Sequence, residues 1–444
     1  MIIRFFRMSK LLALCAMAAG VTPAAGGASF RVIYNNQGYN QPSGLIEGSP
    51  GVFYSIAGSD PGAAFSVTIL GSRAILGTFS TGIFQSLLLS GPNGRFYSSI
   101  YTGVNNVFSV SSAPNSELTY APQTIDPLLF QNLPDGGLLG AGTGGPTDLW
   151  YLIRCDLSGN VTAVATLPSG QRLESAIYAA DGNYYGVTLG TDVVPGSTNY
   201  AFRATPLGVL TTLYTFAPNT FARFSATPLL LGNDGNLYGS TATGGANGTG
   251  MIYRLTLAGQ FTLLYSFEPG KYAAGPTTLI EASDGNLYGD AEAPDGAGQL
   301  FRITKSGQYT LLYQMSGLGA GGCPCWLVQG RDGVIYGMAH IGGTSGDGLV
   351  FALDAGLPLP KPQPQSSPRN RGPRALACGS GATICYRRRS NSTAWLRPRC
   401  PTAGRITCGR RFRRAQPPAQ SRSPRPAGQG RHKRASQCSN GPPH

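Results

Sequence analysis

Asp234-Gly235-Asn236-Leu237-Tyr238-Gly239 returns without change at Asp284-Gly285-Asn286-Leu287-Tyr288-Gly289. Weaker copies start at Pro50, Asn93, Asp135, Asp181 and Asp332, so the string occurs seven times. Its second residues are Gly51, Gly94, Gly136, Gly182, Gly235, Gly285 and Gly333, with gaps of 43, 42, 46, 53, 50 and 48. A period of this length suits one four-stranded blade of a radial β array.

The sixth repeat shows how a blade is built. Thr277 to Ala282 reads as a first strand, Ser283-Asp284-Gly285-Asn286 as a tight turn, and Leu287-Tyr288-Gly289 as the start of a second strand. Asp-Gly supplies the positive φ that a two-residue hairpin demands. Gln299 to Thr304 follows as a third strand, Lys305-Ser306-Gly307 as a turn, and Tyr309 to Tyr313 as a fourth. Apolar residues fill both phases, as in Leu263-Leu264-Tyr265, so both faces of each sheet are expected to be buried between neighbouring blades. The seventh repeat runs into Pro358 and Pro360 without a fourth strand, while Phe30-Arg31-Val32-Ile33-Tyr34 resembles Phe261-Thr262-Leu263-Leu264-Tyr265 and stands alone before the first repeat. The expected fold is therefore all-β: a seven-bladed β-propeller of four-stranded antiparallel blades, closed by the N-terminal strand. An open solenoid is the alternative.

The S-D-G-N-L-Y-G turn, the Gly-rich loop Gly244 to Gly250, the strand I-Y-R-L-T and the strand T-L-L-Y-S-F resemble the GloVer tandem repeat of exported bacterial proteins. The resemblance is close over Asp181 to Asp354 and faint over Phe30 to Gln171. It implies a secreted or surface protein with a variable C-terminal anchoring or accessory region, and no general activity.

Residues 1–28 have the form of a secretory signal, with Arg4, Arg7 and Lys10 before the apolar stretch Leu11 to Val21 and small residues after it. A secreted or cell-envelope location is expected, with no membrane span once the signal is removed. The chain carries a net charge of +14. That charge is confined to one end. Fifteen Lys and Arg face 20 Asp and Glu up to Gly356, and 19 basic residues face no acid after it. The body at 29–356 thus lacks a basic footprint for nucleic acid. Residues 357–368 form a Pro-rich linker, and 369–444 an Arg- and Pro-rich disordered tail with few apolar residues to bury. Two readings of that tail stand: a polyanion-binding segment, or out-of-frame translation that has replaced an accessory domain.

The repeated acids Asp135, Asp181, Asp234, Asp284 and Asp332 are expected to bond nearby backbone N–H groups in their turns rather than to hold calcium. These turns lie on one rim. The opposite rim carries the segments Leu189 to Asn199, Thr241 to Gly250, Asp290 to Gly298 and His340 to Asp347, read as the longest and least alike, and specificity is expected there. Asp192, Asp290, Glu292, Asp295, His340 and Asp347 are the candidate ligand residues of that rim. Cys323-Pro324-Cys325 is either a tight structural disulfide in an exported protein or two unbridged thiols. No catalytic residue, metal or cofactor is assigned. The leading expectation is a monomeric, non-enzymatic scaffold binding an extracellular glycan or surface protein. The alternative is a carbohydrate-active enzyme of propeller fold, a glycoside hydrolase or lyase using loop carboxylates such as Glu292 or Asp295.

Overall fold

The computed structural model describes residues 21–23, 27–36, 42–58, 62–79, 83–84, 88–101, 104–144, 149–190, 198–217, 229–268, 276–292, 297–316 and 321–361. Their strands form seven antiparallel sheets, each a blade; six have their strands in chain order, and in the seventh the N-terminal strands lie outside the last strand of the body. Blade 6 is typical: Pro276–Glu281, Leu287–Glu292, Gly298–Ile303 and Tyr309–Met315. In blade 2 the first strand is split into Ile83–Phe84 and Leu89–Ser90, which is why that sheet has five pieces. Most of the 357–368 linker, the tail at 369–444 and most of the expected signal lie outside the described residues. Val21–Pro23, within the expected signal, adds a fifth strand to blade 7.

The core is a ring of seams. Tyr185, Val187, Phe216 and Tyr253 are buried between blades 4 and 5, and Tyr288, Leu300, Leu312 and Phe351 between blades 6 and 7. Between blades 7 and 1, Tyr336, Met338 and Val350 pack with Leu45 and Phe53. The last seam is thus sealed like the rest, and the open-solenoid alternative is set aside.

Each hairpin of the repeat depends on residues of fixed size. Gly182, Gly235, Gly285 and Gly333 take φ of 84°, 77°, 80° and 87° in their turns. In the second strands, a Cβ on Gly289 or Gly337 would stand 2.4 Å from the Phe301 or Phe351 ring, so the missing side chain seats the aromatic of the third strand. The turn acids accept backbone N–H groups as expected, from Asn183 to Asp181 at 3.0 Å and from Val334 to Asp332 at 3.1 Å. They also accept a bond the spacing did not disclose. The buried tyrosine four residues on donates its hydroxyl to the second carboxylate oxygen: Tyr185 to Asp181 at 2.7 Å, Tyr238 to Asp234 at 2.7 Å, Tyr288 to Asp284 at 3.0 Å and Tyr336 to Asp332 at 2.6 Å. A buried phenol needs such an acceptor, and here the turn provides it.

Closure follows from the outer strands. Ser29–Asn35 pairs antiparallel with Leu349–Asp354, Ser29 opposite Asp354, and bulges at Ile33 as the fourth strands of blades 5 and 6 bulge at Leu264 and Leu312. Fourth strands stack side by side through aromatic rings: Tyr214 on Phe261 at 4.4 Å and Tyr265 on Tyr309 at 4.4 Å. Phe30 continues the series on Tyr313 at 4.0 Å, and Tyr34 receives the Arg73 guanidinium of blade 1 at 5.6 Å. The glycine of the outer turn completes the contact. At Gly307, φ is +93° and a Cβ would stand 2.5 Å from Leu264 O; at Gly71, φ is +83° and a Cβ would stand 2.5 Å from Ile33 O. Neighbouring lower turns are also tied. Glu281 accepts the Asn233 N–H at 2.8 Å, Gln329 the Ser283 N–H at 2.8 Å, and Glu47 the Arg331 N–H at 2.9 Å, the last across the closing seam.

Deleting residues 29–35 should leave the blade 7 ladder and the Tyr313 ring uncovered, and the expected outcome is aggregation or a clearly lower melting point. A monomer that melts at the parental temperature would contradict closure by this strand. Gly307→Ala should destabilise more than Gly285→Ala, because both strain the backbone but only the first meets another blade. Chemical denaturation should show about 1 kcal/mol for Gly285→Ala and about 2–3 kcal/mol for Gly307→Ala.

Candidate functional site

Turns between first and second strands, and between third and fourth, form the lower rim; second-to-third loops and blade connections form the upper rim. Asp192 and Asp295 lie outside the described residues. Asp290 and Glu292 do not lie in a loop, since the second strand of blade 6 continues to Glu292. Asp290 is fully buried, and its Oδ1 accepts the Thr278 N–H at 3.0 Å. Glu292 accepts the Cys323 thiol of blade 7 at 3.1 Å. These two acids therefore belong to the seam between blades 6 and 7.

Cys323 and Cys325 are unbridged in this structure. Burial, and then the hydrogen bond to Glu292, push the Cys323 thiol up to about 12. Burial also raises Cys325. Neither is a ready thiolate at neutral pH. Cys323 and Trp326 take φ of 48° and 55°, a rare conformation for residues with side chains. The Trp326 N–H is held by Thr278 Oγ1 at 2.8 Å, which fixes this kink of the first strand against blade 6.

The upper loops of blades 5 and 7, read from the sequence as unlike, have one backbone. Gly244, Gly245, Gly248 and Gly250 have positive φ, and so do Gly342, Gly343, Gly346 and Gly348. Gly244 bridges Thr249 as Gly342 bridges Asp347. Each loop is pinned by the end of a fourth strand: the Ala246 N–H by Ser266 Oγ at 2.9 Å, and the Thr344 N–H by Asn35 Oδ1 at 3.2 Å. Thr249 donates to Phe267 O at 2.6 Å, and Ser345 to Asn36 O at 2.6 Å. The N-terminal strand thus closes the ring and shapes a rim loop. Asp347 belongs to the base of its loop, and His340 precedes it at the end of the second strand. The exposed tips are Ala246-Asn247 in one loop and Thr344-Ser345 in the other.

Between blades 3 and 4, sequence reasoning missed a charged cluster near the upper rim. Arg172 pairs with Glu174 at 3.0 Å and lies 5.2 Å from the Trp150 ring centroid. Burial raises the Glu174 carboxyl, and the Arg172 charge opposes that only in part. The signal was available as two opposite charges two residues apart in the strand Gln171–Tyr178.

On the lower rim Asp135, Asp181 and Asp234 are held below the usual carboxylate range. Burial alone would raise the Asp234 carboxyl, but the Asn236 amide, the Tyr238 hydroxyl, the Asn236 N–H and the Lys305 charge outweigh it and hold the group at about 2. Lys305 reaches Asp234 at 3.5 Å and Glu281 at 2.7 Å, joining blades 5 and 6. No group of three or more metal-ligand side chains comes together among the described residues.

Residues 172–357 match the Gloeobacter/Verrucomicrobia repeat, the family whose likeness the turn motifs carry, and the match spans blades 4 to 7. A comparison with curated proteins gave no match. Among solved structures, a streptogramin B lyase is similar at a TM-score of 0.51 and 16% identity, over 74% of this chain and 97% of that one. A virginiamycin B lyase from Staphylococcus aureus is similar at a TM-score of 0.53 and 15% identity, over 74% of this chain and 99% of that one. At these identities the likeness shows the propeller fold alone.

Acid should weaken the Asp234 turn only below the ordinary carboxylate range. An aspartate held near 2 when folded and titrating at about 3.9 when unfolded stabilises the fold above about pH 4, and that contribution is lost as pH falls through about 2. The difference in melting temperature between the native protein and Asp234→Asn should therefore shrink from about pH 5 to pH 2. A constant difference would show that the charge on Asp234 is not what stabilises the turn.

Proposed function

We propose that the protein is an exported repeat scaffold that binds an extracellular glycan or surface protein through its upper rim. The observation that carries this reading is the pair of loops in blades 5 and 7. Both have the same glycine-defined backbone pinned by the same strand-end contacts, and they differ at their exposed tips, Ala246-Asn247 and Thr344-Ser345. Loops fixed before binding lose little conformational freedom on contact, so substitutions at Ala246 and Thr344, which are pinned through their backbone N–H groups, can change specificity without disturbing the scaffold. The basic, apolar and small-residue order of the first 28 residues supports export to the medium or the cell envelope.

The competing reading is a carbohydrate-active enzyme, and two solved propellers of similar fold are named as lyases. Of its candidate acids, Asp295 lies outside the described residues, and the two described acids of that segment are engaged. Asp290 is buried against the Thr278 N–H, and Glu292 is engaged by the Cys323 thiol, so neither presents a free carboxylate to an open site.

Screening the purified full-length protein against cell-wall polysaccharides and surface-protein fractions should yield a saturable partner. Ala246→Arg combined with Thr344→Arg should weaken that partner at least tenfold, about 1.4 kcal/mol, at an unchanged melting point. Undiminished binding by the double variant would remove the upper rim as the site. Turnover of a polysaccharide that is lost in Glu292→Gln would favour the enzyme instead.

A further inference from the structure

The lower rim departs from its repeat at blade 3. In blades 4 to 6 the turn acid accepts an asparagine side chain and a tyrosine hydroxyl, as Asp234 accepts Asn236 at 2.9 Å and Tyr238 at 2.7 Å. In blade 3 the corresponding residues are Gly137 and Leu139, which can give neither bond. Leu139 is fully buried beside Leu133, where blades 5 and 7 have Gly232 and Gly330 under a tyrosine ring. Two leucines thus fill the core space of a glycine and a tyrosine, and the blade's own second strand offers Asp135 no phenol; the Tyr184 hydroxyl of blade 4 reaches Arg154 instead.

Arg154 occupies the vacated side of Asp135. Its position in the third strand matches that of Arg203, Arg254 and Arg302, and it forms an ion pair with the Asp135 carboxylate. The two side chains are 36% and 57% exposed, so the pair faces solvent. Around it opens a pocket of about 330 Å³, walled by the Asp135 turn on one side and the Asp156–Asn160 turn on the other, with Leu157 and Thr162 also lining it. The second wall is rigid. Asp156 Oδ1 accepts the Ser158 and Asn160 N–H groups at 2.9 Å each, and Oδ2 the Asn160 amide at 2.8 Å.

We propose that this pocket is a second ligand site, for a neutral polyhydroxylated ligand of one or two sugar rings. The charges select the class. An anion would meet two carboxylates, Asp135 and Asp156, for one guanidinium, while a cation would have to displace Arg154 from Asp135, since Asp156 is already taken up by the Ser158 and Asn160 donors of its own turn. Adjacent sugar hydroxyls suit the ion pair, since one can donate to Asp135 while the other accepts from Arg154. Leu157 offers an apolar surface to the ring carbons. The volume is at the lower end of that of small-molecule sites. This site lies on the rim opposite the loops of blades 5 and 7 and does not depend on their role.

Calorimetric titration of the full-length protein with maltose, cellobiose and lactose, and with galacturonic acid and glucosamine, tests the proposal. At least one neutral disaccharide should bind with a Kd on the order of 1 mM, and both charged sugars about fivefold or more weaker. Asn160→Ala, which removes an exposed amide together with its bond to Asp156 Oδ2, should weaken the disaccharide several-fold at an unchanged melting point. Asp135→Asn should do the same and reverse the preference towards galacturonic acid, because it frees the Arg154 charge. Ala246→Arg on the upper rim should leave this binding unchanged. Absence of saturable binding by every neutral disaccharide would overturn the proposal, as would binding that both lower-rim variants leave intact, or galacturonic acid binding tightest to the native protein. If Asp135→Asn does not fold, Asn160→Ala decides alone.

Discussion

The stacking of Phe30 on Tyr313, with the ladder that joins Ser29–Asn35 to Leu349–Asp354, is the contact on which the other seams depend. Blades of this kind have no core of their own. Each sheet buries its faces only against two neighbours, so a ring missing one join leaves two faces and an edge in water. The N-terminal strand meets this requirement by copying a fourth strand in full. It has the bulge at Ile33, the stacked ring at Phe30, the second aromatic at Tyr34 against Arg73, and the bulge carbonyl against Gly71. Residues nearly the length of the body apart in sequence are thereby made to contact as adjacent repeats do.

Size compensation runs through the same repeat. A tyrosine in the second strand goes with glycine or alanine ahead of the turn: Gly48 with Tyr54, Gly232 with Tyr238, Gly330 with Tyr336, and Ala282 with Tyr288. Where both positions are leucine, as at Leu133 and Leu139, the volume is kept and the hydrogen bond is lost. A close-packed seam tolerates a change of chemistry more readily than a change of volume. The turn acid of blade 3 consequently finds its partner in Arg154, on the next strand but one of its own sheet.

The fold was largely legible because its signals are local. Asp-Gly turns at an even period count the blades, and the likeness of Phe30–Tyr34 to Phe261–Tyr265 gives the closing strand before any contact is seen. The tyrosine bond to the turn acid was present in the string as a spacing of four, but spacing alone does not say which way a side chain points. Contacts between blades were less accessible. Glu292 and Cys323 meet across a seam, and nothing in their separation of 31 residues signals it. The kinship of the blade 5 and blade 7 loops was in plain view as two matching runs of glycine. Comparison of the residues between the glycines concealed it, since the backbone follows the glycines and the tips vary freely. The gap at blade 3 was likewise visible as D-G-G-L-L-G, although its consequence needs the neighbouring Arg154 turn.

Ser29 lies opposite Asp354 in the closing ladder, so the chain enters and leaves the ring at one point, and that point is on the lower rim. From there the backbone runs on beneath blades 7 and 6, where Ser283 and Gln329 donate to Pro358 O. The ring therefore behaves as a cup held by its foot. An attachment made through either terminus, to an envelope or to another domain, would leave the same mouth turned outward, and the choice of terminus would not alter what the molecule presents.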